Sequence, residues 1–334
     1  MPPKNLLCVI VARIGDTLLT TPTLHALKTT WPETRLHVVA HPRQRPLLEN
    51  NPDVDRLQAF TKKSANFKGW WSGLGGLRKP MDIALVYGHD RALWCYARRM
   101  SSRIIGFQGN DRALDALVDE AVFPVPAPMH AVQDRALLLQ PLGIALPQRR
   151  LRYLTTREER QWAKTWLRDH VGGPRIGIQA NSFATKAYRN LLPRQVKRIL
   201  QGMPQRLRSA SVLLFGGPAD RENNETIRQT LGDGAVNLAG RFALRQSAAL
   251  MEQMDFFLGI DTGPTHIAGC FDNPMVALYH CKHPGRNLMP LDHPRCAIVE
   301  HPDTDGHCPR EASMADLPMA EIHAAITQVT ECPG

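Results

Sequence analysis

Four short runs of residues combine hydroxyls, carboxylates and cations at places where an apolar segment gives way to a helical one. The first is Arg13-Ile14-Gly15-Asp16-Thr17, which follows the apolar stretch Leu6 to Ala12. Asp16 is the first carboxylate of the chain. At such a turn it can take a proton from an attacking hydroxyl, and Gly15 lets a ligand come close to the backbone. Aspartate is equally at home as a helix N-cap, so residue type alone leaves both roles open. The turn lacks a G-x-G-x-x-G fingerprint, which argues against a dinucleotide site.

The second run is Asn181 to Lys186, where the Thr185 hydroxyl adjoins the Lys186 ammonium. That pair suits phosphate oxygens, although the G-x-x-x-x-G-K-[ST] spacing of a P-loop is missing and an ordinary surface loop can look the same. The third is Gly217-Pro218-Ala219-Asp220-Arg221-Glu222. A carboxylate opening a helix there can hold a ribose diol. Asp220 reads as a cap, which leaves Glu222 as the candidate. The fourth, Asp261-Thr262-Gly263-Pro264-Thr265-His266, is the most informative. Pro264 marks the first position of a helix, so the amides of Thr262 and Gly263 would point at an anion. Asp261 could accept hydrogen bonds from sugar hydroxyls, and His266 lies about one turn further on.

Two other segments attract notice. Lys62, Lys63 and Lys68 lie among aromatic residues that include Trp70 and Trp71, a mixture suited to a lipid headgroup region or to a loop with half-buried tryptophans. Residues 280–308 hold His280, Cys281, His283, His293, Cys296, His301, His307 and Cys308. Their spacings match no standard zinc pattern, so no metal is expected, and the histidines are expected to line a cleft or face solvent.

The elements that must position these residues alternate between strand and helix. Strands are expected at 6–12, 35–40, 82–87 and 102–107, then at 175–180, 211–216, 235–240, 255–260 and 275–280. Helices are expected at 17–30, 91–100, 193–202, 219–231, 243–253 and 264–271, with a last one in the tail. The charged segment 141–174 interrupts the rhythm, and Gly172, Gly173 and Pro174 end it. The fold class is therefore α/β, with two doubly wound Rossmann-like domains. The first spans 1–155 and the second 156–314. Ligands bind at the carboxyl ends of such strands, so the expected site is a cleft where the two domains face each other.

The chain has 334 residues, ample for two cores without a disulfide or metal staple. No apolar run approaches the ~18 residues of a membrane span, and the N-terminus lacks a secretory pattern. Seven cysteines, an odd number without C-x-x-C, suggest reduced thiols in a cytoplasmic protein. The net charge of +10 is concentrated early: residues 1–150 carry 20 Lys and Arg against 12 Asp and Glu. Such a field draws a polyanion, but no nucleic-acid motif accompanies it, so nucleic acid is not the expected partner.

Together, R-I-G-D-T-L-L-T-T-P (13–22), the T-K pair (185–186), F-G-G-P-A-D-R-E (215–222), N-L-A-G-R (237–241) and G-I-D-T-G-P-T-H-I-A-G (259–269) resemble glycosyltransferase family 9, the lipopolysaccharide heptosyltransferases. The resemblance runs from about residue 5 to 331. It implies a GT-B fold whose first domain takes the acceptor and whose second takes the nucleotide sugar. Residues 315–334 would form a closing helix that crosses back to the first domain. It also implies inverting transfer of a heptose from ADP-heptose to the inner core on phosphorylated lipid A, with no metal and no cofactor, at or near the inner face of the inner membrane. Asp16 matches the general base and Lys186 with Thr185 the diphosphate contacts. Glu222 matches the ribose contact, Asp261 the sugar contact, Thr262 and Gly263 the phosphate amides, and His266 a positioning histidine. Arg13, Lys62, Lys63 and Lys68 are the cations expected to meet the acceptor.

The sequence departs from the family pattern in two loops. Ala187-Tyr188-Arg189-Asn190 replaces the usual Trp-Pro after the lysine. Tyr279-His280-Cys281-Lys282-His283-Pro284 replaces the usual F-G-P-T-x-P. Both loops should border the donor. Another nucleotide sugar such as UDP-N-acetylglucosamine therefore remains an alternative, as does a non-catalytic nucleotide-binding scaffold.

Overall fold

A computed structural model describes residues 1–65, 80–109, 111–123, 125, 128–309 and 312–331. The chain divides into two compact units, Met1–Leu154 and Thr155–Gly334.

The first unit is a six-stranded parallel sheet built from β1 (Asn5–Ile10), β2 (Arg35–Ala40), β3 (Arg56–Ala59), β4 (Met81–Val86), β5 (Ser101–Phe107) and β6 (Glu120–Val122). Their order is β3-β2-β1-β4-β5-β6. The second unit repeats the plan with β7 (Arg175–Gln179), β8 (Ser211–Leu214), β9 (Ala235–Asn237), β10 (Phe256–Ile260), β11 (Met275–Tyr279) and β12 (Cys296–Glu300), in the order β12-β11-β10-β7-β8-β9. The central strands, such as Leu6–Ile10 and Phe256–Ile260, are unbroken apolar runs that lie fully buried, as strands covered by helices on both faces must be. In each unit the strand order reverses between the first and fourth strands, which opens a crevice at their carboxyl ends.

Every expected strand forms, each within a residue or so at its start and up to three residues short at its end. The strands not foreseen are β3, β6 and β12. All three are edge strands; β3 and β6 are short and half-exposed, so no hydrophobic alternation marks them, whereas β12 carries the apolar run Cys296–Val299 and is as long as β10. The helix expected at 17–30 is two helices, Ile14–Leu18 and Thr21–Thr30. The break comes at Pro22, which has no N–H to give the Leu18 carbonyl and stands in the first turn of the second helix; threonine hydroxyls take up carbonyls around it. Thr20 Oγ1 donates to the Asp16 carbonyl at 2.9 Å, Thr21 Oγ1 to Leu18 at 2.7 Å and Thr23 Oγ1 to Thr20 at 2.7 Å.

Two corrections concern the second unit. The sequence suggests a last helix crossing back to the first unit. The structure seats Met319–Glu331 in the second unit, where Ile322, Ile326 and Val329 pack in the same core as Val276 and Leu278 of β11 and Val299 of β12. The cysteines were expected to be reduced; Cys281 and Cys308, 27 residues apart, are joined as a disulfide. An odd total hides such a pairing, because only the fold brings the two Cα atoms within 5.6 Å.

Candidate active site

In the first unit, Asp16 lies in the turn that follows β1. β1 ends at Ile10, and Arg13 takes the N-cap position of helix Ile14–Leu18 in extended conformation. Asp16 therefore is not the cap. It lies in the first turn, with its carboxylate free of local backbone duties. Arg135, on helix Ala131–Ala136, reaches it instead: Nη2 donates to Asp16 Oδ1 at 2.7 Å while Nη1 donates to the Ala131 carbonyl at 2.8 Å. The pair is open to water, with side-chain exposures of 47% for Asp16 and 17% for Arg135. An oriented and accessible carboxylate of this kind is what proton abstraction from a hydroxyl requires.

The basic residues assigned to the acceptor are less concentrated than expected. Arg13 and Lys63 are exposed, and Lys62 pairs with Asp90 at 3.2 Å in the loop after β4. Because β4 lies beside β1, that loop leaves the sheet next to the one carrying Asp16. Lys68, Trp70 and Trp71 lie outside the described residues.

The second unit gathers its candidates at the ends of three neighbouring strands, β8, β7 and β10. After β7, Asn181 is buried and donates to Asn224 Oδ1 at 2.6 Å, while Asn224 donates to the Phe215 carbonyl at 3.0 Å. This pair ties the β7 loop to the helix that follows β8. Asn190 Oδ1 accepts from the Ser182 amide at 2.7 Å and closes the base of the loop. The short helical turn Ala184–Arg189 kinks at Lys186, whose φ is −130° and ψ 30°. Thr185 is exposed and Lys186 half-buried. Among the described residues no carboxylate pairs with the Lys186 ammonium.

After β8, the Asp220 carboxylate accepts from the Gly217 amide at 2.8 Å, which leaves Glu222 exposed in the first turn of helix Arg221–Leu231. The N-L-A-G-R run packs on the same turn. Gly240 adopts φ +69°, and a Cβ there would stand 2.8 Å from Pro218 Cα, so glycine is required on both counts.

After β10, Thr262 is the N-cap of helix Gly263–Ala268, with Pro264 in its first turn. Thr262 makes no side-chain cap bond, so the helix start relies on other donors and acceptors. The helix sits tightly on the strand because Gly259 has no Cβ to meet Thr265, whose hydroxyl donates to the Ile260 carbonyl at 2.5 Å. Asp261 is nearly buried, and the Arg189 and His266 side chains converge on it. Arg189 donates to both its main-chain carbonyl and its Oδ2, and His266 Nε2 lies 3.6 Å from Oδ1. Burial pushes the Asp261 carboxyl upward. The His266 hydrogen bond and then the Arg189 charge lead the contributions that outweigh it and hold the acid below its ordinary value. His283 is pushed the other way, first by burial and then by Arg189, so it favours the neutral form.

The two loops that depart from the family pattern touch each other. The Tyr188 ring meets His280 edge to face at 4.9 Å, and Lys282 Nζ stands 5.0 Å from the Tyr188 centroid. Of the histidines of 280–308, His283 and His293 are half-buried and His307 is exposed. His280 and His301 are buried, and His280, His293 and His301 each accept through Nδ1 from the amide two residues on. His280, Cys281 and Cys308 have their ligand atoms within 4.8 Å of one another, but the two sulfurs are bonded together.

Three residues escaped the sequence reading. Arg189, Asn224 and Arg135 act through partners 72, 43 and 119 positions away, and such separations leave no local pattern.

Comparison with known proteins follows the same lines. The sequence model of glycosyltransferase family 9 (heptosyltransferase) matches residues 93–312. A lipopolysaccharide heptosyltransferase 3 of Escherichia coli is 22% identical over 334 aligned residues, covering 94% of this chain and 96% of the relative. Among solved structures, the family 9 glycosyl transferase of Veillonella parvula superposes with a TM-score of 0.82 at 18% identity, over 98% of this chain and 97% of that one. The E. coli ADP-heptose lipopolysaccharide heptosyltransferase II gives 0.77 at 18% identity, over 98% of each.

Proposed function

The chain belongs to glycosyltransferase family 9, the heptosyltransferases, with a GT-B fold, and from that premise we propose that it transfers a heptose from ADP-heptose to the inner core of lipopolysaccharide. The second unit takes the nucleotide sugar and the first takes the phosphorylated core acceptor. The observation that carries this reading is the division of chemistry between the two crevices. One offers an accessible carboxylate, and the other offers cations and helix-start amides around a buried carboxylate.

The reaction is a direct displacement with inversion. The acceptor hydroxyl oxygen attacks the anomeric carbon as its proton passes to the Asp16 carboxylate. The bond from that carbon to the diphosphate oxygen breaks, and ADP departs with the electron pair. Charge builds on the leaving diphosphate, where Lys186, Thr185 and the amides of Thr262 and Gly263 offset it. Interactions that strengthen as the bond breaks lower the barrier rather than merely tightening binding. With that positive charge supplied by the protein, the reaction needs no metal ion. Asp261 accepts from hydroxyls of the sugar, Glu222 from the ribose diol, and His266 helps to hold Asp261. The basic first unit, with Arg13, Lys62, Lys63 and Lys68, meets the acceptor's phosphates. No helix among the described residues is long and apolar enough to cross a membrane. In this reading the enzyme is cytoplasmic and meets its lipid-borne acceptor at the membrane surface.

The departures at 187–190 and 280–284 favour one second reading, the same reaction with another nucleotide sugar. A calorimetric and thermal-shift panel of ADP, UDP, GDP, CMP and NAD separates the two, because a ligand that binds the native state raises its stability. A selective ADP response followed by turnover of ADP-heptose supports the first reading. A selective UDP response moves the donor to a UDP-sugar.

A further inference from the structure

Arg189 belongs to the loop that departs from the family pattern, and the reaction outlined above gives it no task. Its guanidinium is among the most deeply buried cations described, with 6% side-chain exposure against 11% for Asp261. It leaves the turn that follows β7 and meets the loop that follows β10. These two strands are neighbours at the reversal of the strand order. One Nη2 group serves both the carbonyl and the Oδ2 of Asp261. A strut between two loops needs only the carbonyl. Engagement of the carboxylate fixes the side chain as well.

A carboxylate has about four lone-pair sites. Arg189 takes one on Oδ2, and His266 faces Oδ1. The remaining sites are left for donors from a ligand. A buried carboxyl without a cation takes up a proton, and a protonated carboxyl no longer offers two equivalent acceptor oxygens.

We propose that Arg189 is a positioning residue for the donor sugar: it holds the Asp261 carboxylate ionised and oriented to accept hydrogen bonds from sugar hydroxyls, and it does not itself bind the nucleotide. This rests on the reading of Asp261 as the sugar contact. The titratable and charged groups around Asp261 are Arg189, His266, His283 and Tyr279, with Lys186 acting on His283. Without Arg189, the leading charge that opposes burial is gone, so the Asp261 acid rises.

The test uses the full chain with Arg189→Ala, Arg189→Lys and, if the alanine variant fails to fold, Arg189→Gln, each checked by its melting curve. For Arg189→Ala the expected result is a KM for ADP-heptose raised at least tenfold and an ADP Kd within twofold of wild type. The acid limb of kcat/KM should move to higher pH, and millimolar guanidinium should restore part of the rate. Arg189→Lys should fall between. Unchanged KM and pH profile in a folded variant overturn the proposal. So does a loss of ADP affinity as large as the rise in KM, which would make Arg189 a diphosphate ligand. Inactivity of the wild type toward ADP-heptose would instead count against the proposed function. The role of Arg189 would still be read from the affinity of the nucleotide sugar that does bind, relative to its bare nucleotide.

Discussion

Each unit has an arginine–aspartate pair at its crevice, and the two pairs are built for opposite ends. Arg135–Asp16 is open to solvent, and its carboxylate can exchange a proton. Arg189–Asp261 is nearly sealed, and its carboxylate is fixed by a guanidinium on one oxygen and a histidine near the other. Exposed pairs contribute about 0–1 kcal/mol to stability. Removing one partner of a buried pair costs about 3–5 kcal/mol, because the other charge is left stranded. The same two residue types therefore make a solvent-accessible pair in one unit and a nearly sealed pair in the other.

The largest effect should come from breaking the buried pair. Asp261→Ala strands Arg189 and should lower the melting temperature by roughly 10 °C as well as abolish detectable transfer; a variant that melts like the wild type would mean that Arg189 finds water or another partner. Breaking the exposed pair sharpens the contrast. Asp16→Asn should cut kcat by about 10²–10⁴-fold, the usual contribution of a general base, while the melting temperature and ADP affinity stay near wild type. Lys186→Ala comes next. A lost contact to the leaving diphosphate should reduce kcat/KM by about 10²-fold, with some loss of ADP affinity, and unchanged kinetics would remove Lys186 from the site. The smallest effect belongs to Arg135→Ala, which leaves an exposed carboxylate still solvated. Its stability should change by less than about 1 kcal/mol and its rate by only a few-fold. A rate loss as large as that of Asp16→Asn would mean that Arg135 itself contacts the acceptor.

The comparison also shows what a sequence can disclose. Asp16 and Asp261 were legible because each follows a buried apolar strand and precedes a turn with small residues, a pattern confined to a few neighbouring positions. Their arginines were not, since Arg135 and Arg189 are defined only by contacts made across the fold. The central strands announce themselves by apolar runs, whereas β3 and β6 are short edges whose pairing depends on the strands beside them. The break between Leu18 and Thr21 was legible in Pro22, which cannot donate to the Leu18 carbonyl; what the sequence did not show is that the hydroxyls of Thr20, Thr21 and Thr23 take up the nearby carbonyls. The Cys281–Cys308 link was hidden by an odd cysteine count, and the buried histidines of 280–308 by a composition that looked polar.

The most direct test is the initial rate of transfer from ADP-heptose to a core-oligosaccharide acceptor, measured side by side for the wild type and Asp16→Asn. The wild type should transfer heptose, and Asp16→Asn should do so at least about a hundredfold more slowly. Equal rates in the two proteins would contradict the assignment of proton transfer to the open pair, and with it the division of labour between the two crevices.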